Sequence, residues 1–166
     1  MRVQMDLLIS GVRFTLQVAT VLYFTGPIDS TQKMLAKYNG KIPVYYYRLS
    51  YLNNLSGHNG TAHADDIPLL FCNDLGPHLD PNSEYNMYRK QFASLWTNFA
   101  KYGNPTPHGE PIKGGAWLTS GEEGRQIDLG NEEFKMHGRL LDPVAQKFMS
   151  RYTSILPHIT GCVNHA

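Results

Sequence analysis

A chain of 166 residues, 42% hydrophobic and 17% charged, has room for one globular domain with a substantial core. Its formal net charge is +1 and its lysines and arginines are scattered, so it lacks the electrostatic footprint of a nucleic-acid or anionic-membrane binder. Fifteen glycines and ten prolines imply many loops and exclude a coiled coil or a simple bundle.

The stretch from Met1 to Phe24 is rich in apolar residues, but Asp6 and Arg13 interrupt it. A signal peptide calls for a continuous apolar region and a small-residue cleavage site, and on that criterion cleavage is not expected here. No apolar run in the chain reaches membrane-spanning length. Val18 to Phe24, β-branched and aromatic, predicts a short strand. Pro27 to Thr31 reads as a turn and helix start, Thr31 to Tyr38 as a short helix, and Asn39-Gly40 as its stop. Ile42 to Tyr51 carries Val44, Tyr45, Tyr46, Tyr47 and Leu49. Such a nearly continuous apolar and aromatic run predicts a strand buried on both faces, as in a parallel sheet.

A polar loop follows, from Asn53 to Ala62, with sequons at Asn54-Leu55-Ser56 and Asn59-Gly60-Thr61. These are compatible with a secreted or endoplasmic-reticulum protein and leave the compartment open. A short helix is expected from Asp65 or Asp66 through Phe71. Its acids suit a helix cap, and Pro68 is tolerated in the first turn. Ser83 to Tyr102 is the clearest helix. Ser83 is its expected N-cap, Gly103 its stop, and Tyr85, Tyr88, Phe92, Leu95, Trp96 and Phe99 form one apolar stripe. Thr106 to Gly115 predicts a loop, Arg125 to Leu129 a short strand, and Leu141, Val144, Phe148 and Tyr152 a C-terminal helix. The two cysteines, Cys72 and Cys162, form no metal motif, and sequence alone does not pair them.

One histidine stands apart from the seven present. His63 sits in a small-residue loop just ahead of the Asp65-Asp66 helix start, which is how a loop can present a catalytic base. His58, His63 and Asp65 also invite a metal reading, but their spacing matches no standard zinc motif. Asp65 and Asp66 read better as helix caps than as a local triad acid. The nucleophile that a base would serve is missing. No G-x-S-x-G occurs, and Ser120, in Thr119-Ser120-Gly121-Glu122, lacks the glycine two places earlier.

Four stretches, in order, resemble the C-terminal part of the type-B carboxylesterases, the cholinesterase-like branch of the α/β hydrolases. Leu22-Tyr23-Phe24 with Pro27-Ile28-Asp29 resembles the strand-and-helix entry of the family's last third. Pro43-Val44-Tyr45-Tyr46-Tyr47-Arg48-Leu49-Ser50-Tyr51 resembles its PVYYYRFSY strand. His63-Ala64-Asp65-Asp66-Ile67-Pro68-Leu69-Leu70-Phe71 resembles its H-[AG]-D-[DE]-[LI]-x-Y-L-F block. Leu95 to Pro107 resembles its MWTNFAKTGNPTP helix end. The likeness looks closest to insect juvenile-hormone and α-esterases.

The resemblance implies an α/β fold: the C-terminal fragment of an α/β hydrolase, with few strands and an incomplete sheet. It divides the chain into an unmatched segment, 1–20, and a family segment, 21–166. The family's triad runs in the order Ser, Glu or Asp, His, so the role that transfers is that of general base, to His63 alone. The implied substrate in the full-length relative is a carboxylic ester, with no cofactor and no metal. Protein partners are left unknown. On this reading the chain is truncated and inactive alone, and its exposed apolar faces and open strand edges promote association. The alternative is a non-catalytic, cholinesterase-like adhesion or protein-binding module, in which loss of the nucleophile would be expected. A free-standing interaction domain built on the Ser83–Tyr102 helix is a third reading.

Overall fold

The computed structural model describes residues 11, 14–38, 41–52, 60–71, 80–107 and 114–155. The sequons at Asn54 and Asn59, the helix stop at Asn39-Gly40, His58, Cys72 and Cys162 lie outside these described residues. The chain divides into two compact units, Met1–Gly40 with Arg139–Ala166, and Lys41–Gly138.

The first unit is helical. Residues 14–20 run through a π-helical turn, Val21–Thr25, into α1 (Gly26–Tyr38). The strand expected at Val18–Phe24 is therefore helix, and α1 begins five residues before the helix expected at Thr31. β-branched and aromatic residues favour a strand only where a pleated neighbour packs against them. Here Tyr23 and Phe24 are exposed. The threonines instead bond back into the helix, the Thr20 hydroxyl donating to the Leu16 carbonyl at 2.8 Å.

The π turn accommodates Pro27. A proline inside a helix lacks an N–H and crowds the carbonyl four residues back. Widening the turn ahead of it lets the Gly26 N–H donate to the Val21 carbonyl. A Cβ at Gly26 would lie 2.6 Å from the Val21 oxygen and 2.5 Å from Met149 Cε, so glycine is what permits the close approach.

Met149 belongs to the C-terminal helix, labelled α4 (Pro143–Ile155). The Asp142 carboxylate caps it, accepting from the Val144 and Ala145 N–H groups at 2.8 and 2.9 Å. The expected apolar stripe is rotated: Leu141 and Met149 are buried, whereas Val144 is 80% exposed. A buried polar cluster reinforces this unit. The Asp29 carboxylate, on α1, accepts from Arg139 Nη1 at 2.6 Å and pairs with Lys33 Nζ at 2.8 Å. The same Arg139 nitrogen donates to Gln32 Oε1 at 2.9 Å.

The second unit is a small α/β layer. It contains β1 (Tyr47–Leu49), α2 (Ile67–Leu70), α3 (Glu84–Tyr102), β2 (Gln126–Leu129) and β3 (Phe134–His137). The sheet order is β1-β2-β3. β1 runs parallel to β2 with Tyr47 opposite Ile127, and β3 runs antiparallel to β2 with Gln126 opposite His137. The parallel pair is what the Ile42–Tyr51 run predicts, but the ladder is shorter than the run, and β1 is not buried on both faces: Arg48 is exposed. The flanks are held by single bonds: Ser120 N–H to the Val44 carbonyl at 2.7 Å and Ser50 N–H to the Leu129 carbonyl at 3.2 Å.

The helix α3 covers this sheet as its stripe predicts. Ser83 Oγ accepts from the Asn86 N–H at 3.3 Å, and Gly103, at φ 65°, closes the other end. Tyr88, Phe92 and Leu95 are buried with Ile127, Leu129 and Phe134. Each fully buried side chain of this size contributes roughly 1.5–3 kcal/mol. Phe99, at the end of the stripe, is half exposed.

The tyrosine rings give the unit an alkaline sensitivity. The Tyr88 hydroxyl donates to the Leu129 carbonyl at 2.9 Å, and burial raises its pKa, with smaller contributions from Tyr51 and Asp128. In the unfolded chain tyrosine ionises at about pH 10. Above that pH the unfolded state holds fewer protons than the native state, so stability falls as pH rises. Urea midpoints should be level from pH 8 to 9.5 and decline beyond, and Tyr88→Phe should flatten the decline. An unchanged slope in that variant would exclude Tyr88 as a source of the effect.

Candidate active-site turn

In open α/β sheets, binding crevices form beyond the carboxyl ends of parallel strands. β1 carries the chain to that end of its pair with β2. There the Leu52 N–H donates to Asn131 Oδ1 at 2.8 Å, and Asn131 Nδ2 donates back to the Leu52 carbonyl at 3.1 Å. The Asp128 carboxylate on β2 is bonded by Arg48 Nη2 and Ser50 Oγ, both at 2.5 Å, which ties β1 and β2 side to side.

The chain is next described at Gly60. The Thr61 hydroxyl donates to the Tyr51 carbonyl at 3.1 Å, which returns the segment to the end of β1. Residues Ala62 to Asp65 then form a β-turn closed twice. The Asp65 N–H donates to the Ala62 carbonyl at 3.4 Å, and the Ala62 N–H donates to Asp65 Oδ2 at 2.7 Å. His63 occupies the second position of the turn and is exposed. Ala64 occupies the third, with φ at 71°, the sign a type II turn demands there. Glycine at this position would meet that demand without strain, which gives a physical reason for the alternation of alanine and glycine in the H-[AG]-D pattern.

The helix α2 starts directly after the turn. Ile67 N–H donates to the Ala64 carbonyl at 3.1 Å and Leu69 N–H to the Asp66 carbonyl at 3.1 Å. Pro68 falls in its first turn, as expected. The capping expected of the two acids is replaced by other bonds. Asp66 stands at the N-cap position, but its side chain bonds no helix amide; Oδ2 accepts from the Tyr47 hydroxyl at 2.9 Å instead. Asp65 closes the turn behind it.

Tyr47 is the residue whose bond to this turn sequence reasoning overlooked. The tyrosine run reads as sheet core, and its rings do serve that purpose. Tyr47 meets Trp96 edge-on at 5.0 Å and Trp117 at 5.9 Å. Tyr45 meets Phe99 and Trp117. These rings line an apolar cavity of about 130 Å³. The missed signal is the period-two alternation, which puts Tyr47 on the α3-facing side with Tyr45, its hydroxyl free to reach past the aromatic layer. Burial raises the Tyr47 pKa, and Asp66 raises it further, so the hydroxyl stays a donor.

Of the other sequence candidates, His58 lies outside the described residues. Ser120 is fully buried, its N–H on the Val44 carbonyl, so it is not a presented nucleophile. Among the described residues no three His, Cys, Asp or Glu side chains converge as a metal site, and no helix is long and apolar enough to cross a membrane.

A strand ending in a turn that exposes a histidine, followed by a short helix, on a parallel sheet pair covered by a long helix, is an α/β-hydrolase arrangement. The chain belongs to the carboxylesterase family, whose model matches residues 11–142. Among curated proteins it is 35% identical to the acylcarnitine hydrolase of Mus musculus and 33% identical to that of Rattus norvegicus, each over 75 residues and 42% of this chain. Among solved structures it superposes on the juvenile hormone esterase of Manduca sexta, captured with OTFP covalently attached, with a TM-score of 0.64 and 22% identity over 84% of this chain. The chain spans 13% of the length of the two curated relatives and 28% of the esterase structure.

The positive φ at Ala64 is testable. A residue with a Cβ in the left-handed region carries a cost of about 1–2 kcal/mol, and glycine gives back roughly 0.5–1 kcal/mol in chain entropy. Ala64→Gly should therefore be neutral or stabilising by up to about 1.5 kcal/mol. Ala64→Val, with a β-branched side chain in that region, should destabilise. Urea denaturation of both variants checks this, and a valine variant as stable as the parent would contradict the turn geometry.

Proposed function

We propose that His63 is the general base of a serine-type carboxylic ester hydrolase. The observation that carries this reading is an exposed imidazole, held on a doubly closed turn beyond the carboxyl end of a parallel strand, in a carboxylesterase-family chain. A serine hydroxyl is a poor nucleophile until a neutral imidazole takes its proton. His63 would accept that proton as the hydroxyl oxygen attacks the ester carbonyl. It would then donate it to the departing alcohol oxygen, leaving an acyl-enzyme. In the second half it would take a proton from water, whose oxygen attacks the acyl carbon, and return it to the serine.

The nucleophile and the oxyanion donors of such a reaction reside on G-x-S-x-G and H-G-G-G elements, which this sequence does not contain. The 166-residue chain by itself should therefore show no turnover of p-nitrophenyl acetate that depends on His63. Turnover by this chain alone that disappears in His63→Ala would overturn the serine mechanism, because the imidazole would then be acting without that nucleophile.

A further inference from the structure

We propose that Tyr47 and Asp66 are positioning residues for His63, the bond between Tyr47 hydroxyl and Asp66 carboxylate setting the turn on the end of β1. The inference deepens the base reading and rests on it for its functional meaning. The turn returns to β1 on both sides of the histidine. Two residues before it, Thr61 bonds the Tyr51 carbonyl at 3.1 Å. Three residues after it, Asp66 takes the Tyr47 hydroxyl at 2.9 Å. The first tie holds the entry side of the turn. The second holds the exit side, beside α2, whose Leu69 is buried in the core, and the two together bracket the imidazole.

The two partners are themselves immobilised. Tyr47 is the first residue of β1, in register with Ile127, and its ring is wedged against Trp96 and Trp117. Asp66 begins α2, and its carbonyl accepts from Leu69. A hydroxyl-to-carboxylate bond is charge-assisted, so it is stronger and more directional than a neutral one. The partly buried, aromatic surroundings of the tyrosine strengthen it further. A base in hydrolysis has to stand within hydrogen-bond reach of its proton, and small misplacement lowers the rate steeply. A bond that connects the rigid aromatic layer to the residue after the turn serves that need.

Isotope-labelled chain, observed by NMR, tests the proposal without any ester turnover. Tyr47→Phe keeps the ring and deletes the hydroxyl, and Asp66→Ala deletes the acceptor. Both should raise the exchange rates of the Asp65 and Ile67 amides by roughly tenfold or more. Both should also move the His63 imidazole resonances toward those of an unstructured histidine. Asp66→Asn keeps an oxygen that accepts the hydroxyl but loses the charge, and should fall between Asp66→Ala and the parent. The Trp96 and Trp117 indole resonances report whether the aromatic layer survives; if Tyr47→Phe disturbs them, Asp66→Ala, which removes no ring, decides. Parent-like exchange and His63 resonances in Tyr47→Phe or Asp66→Ala would overturn the proposal, as would an Asp66→Asn variant indistinguishable from Asp66→Ala. These outcomes are separable from the base reading, which is tested by ester turnover and fails if turnover in a nucleophile-bearing polypeptide is independent of His63.

Discussion

In a polypeptide that joins this segment to a G-x-S-x-G nucleophile, His63→Ala should lower kcat for ester hydrolysis on the order of 10⁶-fold. The size follows from what the imidazole does. It takes the serine proton, supplies the proton that lets the alcohol leave, and repeats both transfers with water, so its loss blocks every proton movement of the cycle. KM for a small ester should change little, since the imidazole acts on the reacting oxygen and contributes little to ground-state binding. Stability should also change little. His63 is exposed at the corner of its turn, and the bonds that close the turn use the backbone of Ala62 and the amide and carboxylate of Asp65. Surface substitutions of this kind are usually within about 0.5 kcal/mol. A variant that folds like the parent yet keeps more than a tenth of its ester turnover would remove His63 from the role of base. A variant that loses activity together with its fold would be answered by His63→Gln, which preserves polarity and approximate size and should be equally inactive.

The position of this histidine was legible in the sequence, whereas the way it is held was not. The block His63 to Phe71 shows where a turn gives way to a helix, and Pro68 marks the helix's first turn. The two acids in that block look like caps because caps are local and require no knowledge of the fold. Their actual bonds differ in range: Asp65 reaches back three residues to Ala62, while Asp66 reaches nineteen residues to Tyr47. A long-range partner leaves no periodic trace. The same contrast governs the elements. The α3 stripe and its Ser83 and Gly103 ends are local and were readable. The Val18–Phe24 stretch has strand-forming residues but no strand among the described residues of its own unit, so local backbone bonding and the adjustment ahead of Pro27 decide for helix. The four-residue β3 follows Glu132-Glu133 and alternates buried Phe134 with exposed Lys135, too short a pattern to separate from a loop.

Asp29→Ala should destabilise the first unit by about 3 kcal/mol or more, at the level expected for a buried charge deprived of its partner. Asp29 is 1% exposed, and Arg139, whose Nη1 stands 2.6 Å from it, keeps only 13% of its side-chain surface in contact with solvent. Removing the carboxylate takes the 2.6 Å charged acceptor from the guanidinium, and the Gln32 oxygen at 2.9 Å is neutral and supplies no compensating charge. The exposed end of the cluster behaves differently. Lys33 has 45% of its side chain exposed, so its pairing with Asp29 is screened by solvent, and Lys33→Ala should cost less than about 1 kcal/mol. The pair Asp29–Arg139 is not thereby shown to be a net source of stability, because each ion gave up its hydration on burial. Replacing both at once separates the two effects. Asp29→Leu with Arg139→Met removes the charges together and keeps volume, and should recover most of the loss seen in Asp29→Ala. Urea midpoints of the singles and the double give the coupling directly. If the double variant were as unstable as the sum of the singles, the cluster would be contributing packing that hydrocarbon cannot replace, and the buried-charge account of Asp29 would be wrong.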